Sequence, residues 1–152
     1  MKSIIFLISI NTLLSTAACS QNAKINIPNT SEMYAMSETF IKNENGAKYF
    51  IKGTDNPYTG FLYAKYDNGQ VLSVQQFENG VGNGIWINYD PEGNKECQGT
   101  YVNNRVEGPV TFYYENGSVK STGQYRDWKR PIGIWTYYDR KGKVVSRIVS
   151  TP

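Results

Sequence analysis

Catalysis in water needs a positioned acid, base or nucleophile, and this sequence of 152 residues supplies few: 13 Asp and Glu, two Cys and no His. Without His, the usual triads and most metal sites are ruled out. Carboxylates do recur at regular places, at Asp67, Asp90, Glu115 and Asp139. A pair such as Asp90 with Asp139 has the residue types of a glycosidase acid and base. Their setting argues otherwise. Asp67-Asn68-Gly69, Asp90-Pro91-Glu92-Gly93, Glu115-Asn116-Gly117 and Asp139-Arg140-Lys141-Gly142 are turn sequences, in which Asp and Asn accept local hydrogen bonds and Gly supplies a positive φ. The stretch Gly80-Val81-Gly82-Asn83-Gly84 is glycine-rich, but it joins two strands and opens no helix, so no helix dipole faces a phosphate. It reads as a flexible hairpin connection. No catalytic residue, metal or cofactor is assigned, and the chain is expected not to be an enzyme.

The aromatic residues are the stronger signal. Trp86 and Trp135 stand two residues after Gly84 and Gly133, and Tyr89, Tyr113 and Tyr138 stand five residues after Gly84, Gly108 and Gly133. Strand alternation sends the Trp row and the Tyr row to opposite faces. The Trp row is expected to be core, and the Tyr row a contact surface able to grip sugar rings or an apolar strip of a partner. Trp128 is a separate binding candidate, since it is a large aromatic flanked by Arg126, Lys129 and Arg130.

What positions these residues is a repeat. Gly60, Gly84, Gly108 and Gly133 open four units, and a second glycine follows nine residues later in each, at Gly69, Gly93, Gly117 and Gly142. The units are 24, 24 and 25 residues apart. Periods of this size belong to arrays whose units share an apolar face by stacking. Each unit reads as a β-hairpin running from its opening glycine through the turn glycine into a second strand. The extra residue of the last interval lies between Arg126 and Ile132, because the spans from Phe77 to Gly84 and from Tyr101 to Gly108 are seven residues and that from Tyr125 to Gly133 is eight.

Period-two alternation then sorts the second strands. Phe77, Tyr101 and Tyr125 share one row, Ser73, Cys97, Ser121 and Ser146 another, and Gln75, Gly99, Gly123 and Ile148 a third. This face has a small middle, which Leu62, Trp86, Val110 and Trp135 from the first strands should cover. Cys97 is explained by the small slot it occupies. The opposite face, with Gln70, Asn94, Ser118 and Lys143 and with Glu96, Lys120 and Arg147 nearby, is expected to be wet. Upstream, Phe40 to Lys52 carries Asn45-Gly46 between apolar arms and reads as a capping hairpin over 40–52. The expected fold is all-β: an elongated, single-layer antiparallel meander of stacked hairpins over 34–152. Its twelve Tyr, three Trp and fourteen Gly with few Leu or Ala fit that class.

Residues 1–18 read as an export signal: Lys2 precedes the apolar run Ile4 to Ile10, which is too short to span a membrane and leads to Ser15-Thr16-Ala17-Ala18 before Cys19. Setting them aside removes one of 16 basic residues, Lys2, and none of the 13 acidic ones, for a net charge of +2. That balance, without a strong Lys/Arg cluster, excludes a nucleic-acid partner. Residues 19–33 read as a polar, flexible tether.

Two resemblances sharpen these expectations. The segment ending in Ala17-Ala18-Cys19 resembles a bacterial lipobox, which implies lipidation of Cys19 and a membrane-anchored lipoprotein of the cell envelope. Ordinary cleavage near the same place would give a soluble secreted or periplasmic protein. Gly84-Ile85-Trp86 through Tyr89 and Gly133-Ile134-Trp135 through Tyr138, each followed by a turn glycine, resemble MORN-type repeats. Pro57-Tyr58-Thr59-Gly60 with Tyr66-Asp67-Asn68-Gly69 is similar to the bacterial MORN-variant proteins labelled YwqK-family antitoxins. The resemblance implies an open interaction scaffold without catalytic residues, whose partner is another envelope protein, a toxin or secreted effector among the candidates. The rival reading is a carbohydrate-binding module for peptidoglycan or surface glycan.

Overall fold

The computed structural model describes residues 26–151. The expected export signal and Cys19 lie outside the described residues. Within them strand is nearly the sole regular structure, with two short 3-10 turns besides. After β1 (Tyr34–Ala35) and a hairpin of β2 (Thr39–Asn43) and β3 (Ala47–Ile51) come eight strands: β4 (Gly60–Lys65), β5 (Val71–Glu78), β6 (Val81–Tyr89), β7 (Lys95–Val102), β8 (Arg105–Tyr113), β9 (Val119–Arg126), β10 (Arg130–Tyr138) and β11 (Val144–Ser150). These eight follow one another across an open antiparallel sheet, and β1 adds to its first edge in parallel through Tyr34 opposite Leu62 and Ala35 opposite Tyr63. Within the run β4 to β11 each strand pairs only with its chain neighbours, as stacked hairpins require.

The turns explain the meander. At one end Gly69, Gly93, Gly117 and Gly142 have φ near +80° to +88° and donate their N–H to the carbonyls of Tyr66, Asp90, Tyr114 and Asp139. At the other end Asn79-Gly80 and Asn103-Asn104 form two-residue loops with both residues left-handed, the conformation that matches the right-handed twist of the flanking strands. The extra residue of the last interval falls in the corresponding loop: Arg126 pairs with Arg130 around Asp127, Trp128 and Lys129, all three at positive φ. The opening glycines correct the sequence reading. β6, β8 and β10 begin upstream of them, at Val81, Arg105 and Arg130, so Gly84, Gly108 and Gly133 lie inside strands at positive φ. At Gly84 a Cβ would collide with Oε1 of Gln76. The stretch after Gly80 is accordingly strand and not a flexible connection, because the turn needs only Asn79 and Gly80.

Across the Trp face the register builds the ladder expected from alternation. Leu62 faces Gln75, Gln75 faces Trp86, Trp86 faces Gly99, Gly99 faces Val110, and Val110 faces Gly123. Large side chains alternate with small ones, and Leu62, Trp86, Val110 and Trp135 are all buried. Ser73, Cys97 and Ser121 are buried in the neighbouring row.

The opposite face is wet over only part of its width. Val74, Ile85 and Ile87 are buried on that side of the first units, where Ile27, Pro28 and Met33 border Val74 and Tyr89. Residues 26–33 thus include a 3-10 turn, Thr30–Glu32, and a buried Met33. Farther along, the same face carries Gln98, Thr111, Thr122 and Thr136 in register. The capping hairpin forms with the expected Asn45-Gly46 turn but does not extend the main sheet. It lies across the Trp face of the first unit, where Ile51 packs with Leu62 and Phe77, and Tyr49 accepts from Tyr58 N–H and donates its own N–H to the carbonyl of Gly80.

Candidate binding surface

Between the capping hairpin and the Asp127–Lys129 loop, the Trp face holds a groove of about 490 Å³. Its walls are Ala47 and Tyr49 from β3 on one side and Trp128 and Lys129 from the loop on the other; Phe77, Tyr101 and Val106 form its apolar floor. Each wall is a consequence of local sequence. Tyr49 is delivered by the Asn-Gly hairpin and lies 4.8 Å from the Phe77 ring, centroid to centroid. Trp128 is delivered by the inserted residue, which widens a two-residue loop and leaves the indole 63% exposed. Asn104 ties the two sides of the floor: its Oδ1 accepts from Gly82 N–H at 2.6 Å and its Nδ2 donates to the Ala47 carbonyl at 3.1 Å. Burial pushes the Tyr101 phenol above its usual pKa, with neighbouring Tyr49 adding to the effect. The hydroxyl there is a neutral donor at physiological pH.

A second hollow of about 410 Å³ continues along the same face, with Phe112, Tyr125, Trp135 and Tyr137 around Cys97 and Ser121. The Tyr125 ring sits 5.1 Å from that of Trp135, and the Phe112 ring 6.3 Å from it. Trp86 donates its indole N–H to the Thr100 carbonyl at 3.3 Å, whereas the buried Nε1 of Trp135 has no hydrogen-bond partner. Cys97 makes no disulfide among the described residues, and burial followed by Glu96 raises its thiol pKa, so the thiolate is disfavoured.

The residues singled out from sequence do not converge. Tyr89, Tyr113 and Tyr138 sit near the Gly69-type turns, at the far end of the strands from Trp128. Tyr89 borders the hollow holding Ile27 and Met33. The Lys95 ammonium stands 5.5 Å from the centre of the Tyr113 ring, and Tyr138 is tied through its carbonyl to the Tyr114 hydroxyl at 2.8 Å. Tyr113 also lines the second hollow, beside Phe112 and Tyr125, so the Tyr row is split between different surroundings and does not form one strip. Tyr49, Phe77, Tyr101 and Val106 were not assigned to binding. The signal that could have found them is the row of Phe77, Tyr101 and Tyr125, which alternation directs to the Trp side and which the rungs of the ladder do not cover.

Two of the turn carboxylates, Asp90 and Asp139, have structural duties. Asp90 Oδ1 accepts from the N–H groups of Glu92 and Asn94, and Asp139 Oδ1 from those of Lys141 and Lys143. The Asn94 side chain, with backbone donors, holds the Asp90 carboxyl below its ordinary pKa, the opposite of what a general acid needs. Among the described residues no group of His, Cys, Asp or Glu could hold a metal ion.

Comparison with known proteins agrees with this geometry in its repeat. The family model described as MORN repeat variant matches residues 83–103 and 106–127, and each match spans one hairpin, β6–β7 and β8–β9. Curated proteins give no match. A chain in the crystal structure of TarM is similar at 13% identity and a TM-score of 0.39, over 74% of this chain and 19% of that one; this chain spans about a fifth of its length. Two successive hairpins of this sheet are therefore similar to the MORN repeat variant.

Proposed function

We propose that this protein is a non-enzymatic, lipid-anchored component of a bacterial cell envelope, whose hairpin repeats form a binding module for another protein. The observation that carries the reading is the groove of the Trp face, where Tyr49, Phe77, Tyr101, Val106 and Trp128 gather apolar and aromatic surface between two walls. Grooves that are mostly apolar with a few convergent polar groups are the usual form of a binding site. Repeats of this kind supply an extended surface and no nucleophile, which suits recognition better than chemistry. The anchor is Cys19, and the partner is met on the same side of the membrane. A toxin or secreted effector is one partner of that class.

The test is retention of envelope proteins by immobilised mature chain, compared between the native sequence and Trp128→Ala and Tyr101→Ala. A protein retained by the native chain and lost from both variants, with folding intact, supports the reading. Retention of muropeptides that depends on the same side chains would replace it with carbohydrate binding. Hydrolysis of a cell-wall substrate by the pure protein would end the non-enzyme claim. Failure of palmitate labelling, or a Cys19→Ser chain that stays in the membrane fraction, would end the anchor claim.

A further inference from the structure

The two edges of the main sheet are unlike. The first is finished: β1 adds to β4, and Leu62 on β4 is fully buried. The last strand, β11, pairs among the described residues only with β10, so one row of backbone N–H and C=O groups is left open. Repeat arrays ordinarily end on a polar face, and edge strands are ordinarily blunted by charge, proline or brevity. β11 does neither along most of its length. It runs over Val144–Ser150, and Val145, Ile148 and Val149 are 61%, 53% and 68% exposed. The exposure is on both faces, since Ile148 is opposite Trp135 and Val149 opposite Ile134, itself 61% exposed.

Charge says what fits there. From Arg140 to the end of the sequence there are four basic residues, Arg140, Lys141, Lys143 and Arg147, and no acidic one, in a chain that is otherwise nearly balanced. Arg140 is engaged by Glu115 at 3.8 Å and by the Tyr114 ring. Lys141, Lys143 and Arg147 make no ion pair among the described residues. We propose that the open edge of β11 is a strand-addition site for an extended segment of another protein in which acidic and apolar residues alternate. Main-chain hydrogen bonds would supply affinity; because the two kinds of residue alternate, the apolar side chains of the added strand would lie on the face of Ile148 and the acidic ones on the opposite face, against Arg147. The molecule already carries an example of such addition in β1 on β4. A second copy is the poorer occupant, because centred antiparallel pairing of β11 with itself brings Arg147 against Arg147. This site is separate from the groove on the Trp face, and either can fail without the other.

The experiment uses the full chain and two blocked synthetic peptides of about eight residues, a common strand length, one alternating Val with Glu and one alternating Val with Lys. Binding is read by fluorescence anisotropy at low and high salt. The expected result is that the Glu peptide binds and weakens with salt, that Arg147→Glu weakens it by roughly fivefold or more, and that the same substitution improves the Lys peptide. Arg147 is exposed, so the substitution leaves the fold intact. Absence of Glu-peptide binding, or binding indifferent to Arg147→Glu, overturns the proposal. So does a concentration-dependent dimer in sedimentation that Val149→Lys abolishes, because the edge would then belong to a second copy.

Discussion

The indole of Trp86 lies against the backbone of Gly99 on the adjacent strand, so closely that a Cβ on Gly99 would stand 2.7 Å from Cζ2. Trp135 has the same relation to Gly123, and there the approach is closer still. Each glycine is the floor on which a ring rests. Gly99→Ala is therefore expected to destabilise the protein by about 1–3 kcal/mol through overpacking, measured by urea denaturation. Adding Trp86→Leu to Gly99→Ala should recover part of that loss, giving a coupling of roughly 1 kcal/mol in the double-mutant cycle. Strict additivity would mean that the two residues do not support one another.

The two tryptophans differ in their indole N–H. Trp86 satisfies its donor on the Thr100 carbonyl, whereas Trp135 buries a donor without a partner. Trp135→Phe should accordingly cost less than Trp86→Phe, by about 1 kcal/mol, because only the second removes a hydrogen bond. Equal losses in thermal melts of the two variants would contradict this.

Hairpins are tied in pairs through their turns. The Tyr66 hydroxyl donates to the Tyr89 carbonyl at 2.7 Å and that of Tyr114 to the Tyr138 carbonyl at 2.8 Å; Asn68 and Asn116 reach the carbonyls of Pro91 and Arg140 in the same way. Tyr66→Phe and Tyr114→Phe should each cost about 1 kcal/mol. Native-state hydrogen exchange should show the faster amides at the Tyr89–Asn94 and Tyr138–Lys143 turns, and protection unchanged there would show that the ties do not matter.

Alkaline pH should unfold this protein early. Burial raises the folded-state pKa of Tyr89, Tyr101, Tyr113 and Tyr125 above the ordinary 10.0. Below pH 10 both the folded and the unfolded chain keep these protons, and the stabilising effect is complete. As pH rises past 10 the unfolded chain ionises first, so stability falls toward and through the folded values. Melting temperature measured from pH 7 to pH 11 should be flat and then drop, and Tyr101→Phe with Tyr125→Phe should make the drop shallower.

Trp128 is the side chain on which binding and stability should separate. Being 63% exposed, it contributes little to folding, and Trp128→Ala should change unfolding free energy by no more than about 0.5 kcal/mol. Its removal from the groove wall should weaken partner retention by about tenfold, the usual effect of losing an aromatic anchor. A variant that melts early but binds normally would make Trp128 a loop anchor instead.

The hairpins, the turn glycines, the Trp-over-Gly ladder and the position of the inserted residue were legible in the sequence because each depends on alternation and on neighbours within about one unit. The strand starts were misread, since glycine spacing marks the unit but not the β-bulge that places Gly84 and Gly133 inside a strand. The Tyr row was the plausible contact surface on alternation alone. In the structure Tyr113 has Lys95 beside its ring and Tyr89 shares a hollow with Ile27 and Met33, neighbours that no local pattern could have announced.

What the sequence determined by itself is the order and facing of the strands, because the period of two and the turn chemistry act over a few residues and allow a single register. The tertiary structure alone decided that the capping hairpin lies across the Trp face, that residues 26–33 are set beside the other face, and that Trp128 and Tyr49 become opposite walls of one groove. Those outcomes rest on contacts between residues far apart in the chain, such as Asn104 Nδ2 with the Ala47 carbonyl across 57 residues. Which distant surfaces meet is chosen by the apolar area that each can cover, a quantity that exists only once the sheet has formed.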